Sequence, residues 1–142
     1  VCSLLGGRLG EEIKFGKDKI TTGASNDFQR ATSIARRMVM EYGMSPLGPI
    51  VFGEDGGGAY TGADFGSQKN YSEETAQKID EQVAVIINTC LEKGRKILQD
   101  NIAIFESITQ YLLEKEVVSS EEFEEFFKKK KSVQKKVAKK SA

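Results

Sequence analysis

Apolar residues open the sequence at helical spacing. Val1, Leu4, Leu5, Leu9 and Ile13 recur every three or four positions, which predicts a helix over Val1–Phe15. Gly6, Gly7 and Gly10 interrupt it, and each costs a helix about 1 kcal/mol relative to alanine. Three together imply a closely packed neighbouring backbone or a kink. Gly16 follows as a C-cap, and residues 17–23 read as a loop. A second helix is expected over Ala24–Tyr42, ended by Gly43. Its inward stripe runs through Asp27, Ala31, Ile34, Met38 and Tyr42, widened by Ala35 and Val39. Arg30, Arg36, Arg37 and Glu41 fall toward its flanks and far side.

Periodicity then lapses. Residues 43–70 are rich in glycine and hold both prolines. Ile50–Phe52 is at most one short strand, and the remainder reads as a loop around Gly56, Gly57 and Gly58. Neither a GxxxxGK run nor a strand–GxGxxG–helix order is present, so a phosphate-binding loop is not expected. Ser72 caps the next helix, whose first turn carries Glu73 and Glu74 and whose stripe runs Ala76, Ile79, Val83, Ile86, Cys90, Ile97 and Leu98. Asp100 and Asn101 break that pattern before a helix bearing Phe105, Ile108, Leu112 and Leu113. In "VSSEEF", Ser119 and Glu122 form a capping box, with Val118 and Phe123 spaced as a hydrophobic staple. The final helix places Phe123, Phe126 and Phe127 on one side. The fold class is therefore all-α, with a core drawn from Ile34, Met38, Val83, Ile86, Cys90, Phe105 and Leu112.

Asp27 is the one carboxylate on the inward stripe of the second helix. Its structural reading is that of an acid favoured among the free N–H groups of a first helical turn. Asn26 and Gln29 would then form a capping box; a cap at Thr22 would instead move Asp27 into the second turn. Its functional reading is that of a carboxylate aimed into a site. The pattern of this stretch leaves both open.

Composition narrows the chemistry. Lys+Arg and Asp+Glu balance at 21 each, so no overall field favours nucleic acid or an acidic membrane. No apolar run approaches the roughly 20 residues that span a bilayer. The chain opens without a basic stretch or an initiator Met, which suggests a fragment or a processed product. Cys2 and Cys90 sit in apolar helical patterns, as free buried thiols of a reducing compartment do. There is no histidine, which excludes a Ser-His-Asp triad, a Cys-His pair or an imidazole metal ligand from this chain alone. From Lys128 the sequence becomes "KKKKSVQKKVAKKSA". Without interleaved aromatics, this tail reads as solvated and disordered, and no nucleic-acid partner is expected.

Four motifs appear in order: "LLGGRLGEEIKFG", "TTGASNDFQRATSIARRMVMEYGMS", "LGPIVFGE" and "YSEETAQKIDEQV". Together they resemble the C-terminal part of the peptidase domain of FtsH-type ATP-dependent zinc metalloproteases, over Val1 to about Phe127. The resemblance implies a helical, bundle-like portion of a peptidase domain over residues 1–128, with 129–142 as the Lys-rich tail. In that family two histidines of an upstream HExxH helix and one distant Asp hold the zinc. Carried over, the Asp ligand is Asp27, and this chain supplies no other metal, catalytic or cofactor-binding residue. The chain alone is expected to be inactive, because the histidines lie outside it. ATP and Mg belong to a separate ATPase module. The resemblance also implies polypeptide substrates, a homo-hexameric parent, and a membrane anchor outside this chain. This domain would lie on the cytoplasmic side of a bacterial membrane or its organelle equivalent. Gly10 departs from the family, which usually has Ala there. Glu11 and Glu12 match its paired acids and are expected to be structural partners of Arg8 or Arg36. The alternative is a stand-alone helical interaction module that kept the scaffold and lost the chemistry.

Overall fold

A computed structural model describes residues 1–53 and 70–128. Turns over residues 2–5 lead into helix α1 (Gly6–Phe15), followed by a single 3-10 turn (Lys17–Lys19). Helix α2 covers Ser25–Met40, α3 covers Glu73–Asp100, and α4 covers Ile102–Lys115. Residues 120–128 are also helical. Among the described residues there is no strand, and no helix is long and apolar enough to cross a membrane. The chain divides into two compact units, Val1–Arg95 and the part from Lys96 onward.

In the first unit, α2 and α3 meet along small and branched apolar side chains. Ala35 and Val39 of α2 pack with Ile79 and Val83 of α3. Met40, Leu47, Phe52, Tyr71, Ile86 and Ile87 close around them. Leu5, Leu9 and Ala31 are also fully buried. Each such Leu contributes roughly 1.5–3 kcal/mol of apolar burial. The inward stripe thus runs through Ala31, Ala35 and Val39. Ile34, expected in the core, is 39% exposed, and Met38 is only half-buried. Alanine at the contact lets two helix axes approach, and that turns the helix face away from its bulkier residues. Of the other expected core positions, Val83 is buried, while Ile86 and Cys90 are half-buried.

Helix ends follow local chemistry. Gly16 closes α1 with φ +83°, its N–H donating to the Glu12 carbonyl. After α2, Gly43 adopts φ +60° while the Met44 N–H donates to the Met38 carbonyl at 2.8 Å. A methyl on Gly43 would meet Pro49 Cα at 2.7 Å, so both conformation and space demand glycine. Ile50–Phe52 forms no ladder; the Phe52 N–H instead donates to the Met40 carbonyl at 2.7 Å. Ser72 Oγ accepts the Thr75 N–H at 3.2 Å and caps α3 as expected.

Gly6 and Gly7 do not meet the close neighbour that their spacing implies. Space is open around Gly6 and Gly7, where added Cβ atoms would meet nothing within 4 Å. The close approach lies at Gly94 of α3, where a Cβ would sit 2.5 Å from Leu9 Cδ1 and 3.4 Å from Cys2 Sγ. α1 therefore packs on α3 at that point. The Cys2 thiol donates to the Cys90 carbonyl at 3.3 Å, and both cysteines are free and half-buried.

In the second unit, Ile104 is buried and Phe105 half-buried, whereas Leu112, also expected inside, is 37% exposed. The stripe of α4 turns on Ile104, leaving Leu112 and Leu113 toward solvent. Glu116 ends α4 in the left-handed region, its N–H bonded to the Leu112 carbonyl at 2.8 Å. The capping box forms as read: Ser119 N–H to Glu122 Oε2 at 2.9 Å, and Glu122 N–H to Ser119 Oγ at 3.2 Å. Tyr111 packs edge-on to Phe126 at 5.7 Å and donates its hydroxyl to Glu122. The Gly56–Gly58 loop and the tail 129–142 lie outside the described residues.

Candidate functional site

Asp27 is the third residue of α2, inside its first turn and one turn before the buried Ala31. It is half-buried. Among the described residues its carboxylate takes no hydrogen bond and no ion pair. Neither expected cap forms. Ala24 holds the N-cap position and α2 has no side-chain cap. Helix α2 therefore starts one residue later than expected and two residues earlier than an Asn26 cap would require.

The start of α2 is held from outside by α1. Glu11 accepts two hydrogen bonds from Thr21, from Oγ1 at 2.8 Å and from the backbone N–H at 3.1 Å. Thr21 Oγ1 also accepts the Gly23 N–H at 3.2 Å, which closes a hydroxyl turn over the TTG segment. The Thr21 bonds hold the Glu11 carboxyl below its ordinary range. One position on, Glu12 pairs with Arg95 of α3 at 3.0 Å and with Arg8 at 3.3 Å. Arg95 is the main cause of its lowered pKa, against the opposing effect of burial. Arg8 also lies over the Phe28 ring at 5.8 Å, beside Asp27 in sequence. The paired acids are thus structural, as expected, and Arg8 is one of their partners, while Arg95 and Thr21 are partners the sequence did not suggest. Arg36 pairs with Asp80 at 2.7 Å and not with either acid. Thr21 is a neutral donor ten residues away, which a search for opposite charge does not find.

Asp27 thus offers a carboxylate whose charge no described residue matches. Among the described residues no three His, Cys, Asp or Glu side chains converge to hold a metal ion. A carboxylate oxygen suits zinc as one ligand among several. A cleft of about 480 Å³ also lies along α2, lined by Ser33, Arg36, Arg37, Met40 and Phe52 among others. Asp27 does not line it, and its arginines are engaged, Arg36 with Asp80 and Arg37 with Glu41.

Comparison with known proteins agrees with the order of motifs. The pattern of peptidase family M41 matches residues 1–126. The ATP-dependent zinc metalloprotease FtsH of Bacillus subtilis is 48% identical over 124 residues, covering 86% of this chain and 19% of that protein. FtsH 3 of Synechocystis is 44% identical over 121 residues, covering 84% and 20%. The FtsH of Trieres chinensis is 39% identical over 126 residues, covering 88% and 20%. The chain spans about a fifth of the length of these relatives. With the all-α fold and the matched span of 126 residues, the chain belongs to peptidase family M41.

Proposed function

We propose that this chain is the C-terminal portion of the peptidase domain of an ATP-dependent, membrane-anchored zinc metalloendopeptidase, and that Asp27 is the carboxylate ligand of its zinc. The half-buried Asp27 carboxylate, unmatched among the described residues yet set on a packed helix, carries this reading. A helix packed behind it through Ala31 and Ala35 can hold one oxygen in a fixed position, as a metal site requires. With no histidine in the chain, the remaining ligands come from outside it. When bound there, zinc supplies a polarised water for peptide hydrolysis. The contribution of residues 1–128 is the charged ligand and the scaffold that orients it. ATP hydrolysis, hexameric assembly, membrane anchoring and the choice of membrane and cytosolic protein substrates belong to the complete protein.

The test is Asp27→Asn in the complete protein. Metal content should fall and casein hydrolysis should drop to background, while ATP hydrolysis persists because it uses another module. A variant that keeps both its zinc and its proteolysis would remove Asp27 from the ligand set. It would leave Asp27 as a helix-dipole partner worth about 0.3–1 kcal/mol.

A further inference from the structure

We infer that Glu11 is a positioning residue for Asp27, acting through Thr21 on the segment that launches α2. This rests on the reading of Asp27 as the metal ligand. A ligand carboxylate has to be held within about 0.5 Å and 10–20° of its productive geometry. The helix that carries Asp27 does not secure its own start: its N-cap is Ala24, and no side chain caps it. What holds residues 21–24 is a relay of three hydrogen bonds. The Gly23 N–H donates to Thr21 Oγ1, the Thr21 hydroxyl donates to Glu11 Oε1, and the Thr21 N–H donates to Glu11 Oε2.

Both carboxylate oxygens of Glu11 are used, one on a side chain and one on the backbone, so the restraint fixes direction as well as distance. Glu11 sits on α1, which is anchored to α3 through Glu12 and Arg95 and through Leu9 against Gly94. Backbone position thus passes from α3 to α1, then to Thr21 and the first turn of α2. Arg8 over Phe28 gives α1 a second hold, directly beside Asp27. Glu11 itself is half-buried and is not one of the buried core residues.

The variants are Glu11→Gln, which keeps the size but replaces one of the two acceptor oxygens with an amide donor, Thr21→Val, which keeps the shape but not the hydroxyl, and Thr21→Ser, which restores the hydroxyl. In the 142-residue chain, amide exchange at residues 23–28 should speed up in Glu11→Gln and Thr21→Val and return toward normal in Thr21→Ser. In the complete protein, zinc affinity measured by chelator competition should weaken about ten-fold in the first two variants and recover in Thr21→Ser. The weakening in the double variant Glu11→Gln/Thr21→Val should not exceed that of either single one, because both break one relay. Far-UV circular dichroism confirms that each variant is folded. If Asp27→Asn loses zinc while Glu11→Gln and Thr21→Val bind it normally, the positioning role is wrong and the ligand reading stands. If Asp27→Asn binds zinc normally, the ligand reading itself fails. Unchanged amide exchange at residues 23–28 overturns the relay whatever the metal does.

Discussion

Substituting Gly94 with alanine sets two known effects against each other. Gly94 lies inside α3, and alanine there improves helix propensity by about 1 kcal/mol. The new methyl would lie 2.5 Å from Leu9 Cδ1, against a comfortable carbon–carbon separation of about 3.5–4.0 Å. Leu9 has to move by roughly 1 Å, yet it is fully buried. Cys2 Sγ, 3.4 Å from the same methyl, closes another side. Overpacking of this kind costs about 1–3 kcal/mol. The expected net effect of Gly94→Ala is a loss of about 1 kcal/mol. Gly94→Val should lose more, because it adds two further carbons and gains less propensity. Urea unfolding of the 142-residue chain, followed by circular dichroism, reads this as a lower midpoint at constant slope. A Leu9→Ala background makes the test sharper. That substitution alone should cost about 2–5 kcal/mol, but it vacates the space the methyl needs. Gly94→Ala should then become stabilising by about 1 kcal/mol, since only propensity remains. If Gly94→Ala stabilises the wild-type chain, or acts identically in both backgrounds, α1 does not pack on α3 at this point.

Two further outcomes are expected. The Glu12 carboxyl titrates below its ordinary 4.5 in the folded chain, held chiefly by Arg95. Its contribution is therefore complete above pH 4.5 and is lost as pH falls from there through the lower folded value. Glu12→Gln should flatten the acid limb of the stability curve, and an unchanged limb would exclude the pair as a source of acid sensitivity. Ser72→Ala removes the acceptor for the Thr75 N–H and should cost about 1 kcal/mol, whereas Ser72→Asp should cost almost nothing. Equal losses in the two variants would show that the cap does not act through this bond.

What the sequence made legible was local. Gly16, Gly43, the Ser72 cap and the Ser119–Glu122 box each depend on residues within one turn, and all take the expected form. The placement of Asp27 on the buried side also follows from spacing, because Ala31 lies one turn on and is fully buried. Hydrophobicity ranks Ile34 above Ala35, yet it is Ala35 that meets α3, because contact distance favours the smaller side chain. Gly94 reads only as a weak point in a helix until Leu9 is placed against it. Glu12 finds Arg95 across 83 positions, which no periodicity reveals. Of the candidate site, the half-buried position of Asp27 was legible from spacing and the Glu11–Thr21 relay only from geometry, since neither propensity nor charge pairs a glutamate with a threonine.

The lengths of chain between bonded partners separate two classes of contact in the first unit. Glu11 reaches Thr21 over 10 residues, whereas Cys2 reaches the Cys90 carbonyl over 88. Closing the longer loop costs about 2 kcal/mol more in chain entropy than closing the shorter one. The start of the chain, with the segment that bears Asp27, can therefore organise early and cheaply in kinetic terms. Docking of α1 on α3 comes later and carries the cost of the long loop. Mutations at Leu9 or Gly94 should then act mainly on unfolding rate, and mutations at Glu11 or Thr21 mainly on folding rate. The geometry around the acid is assembled by neighbours in sequence, and its persistence depends on partners nearly ninety residues away.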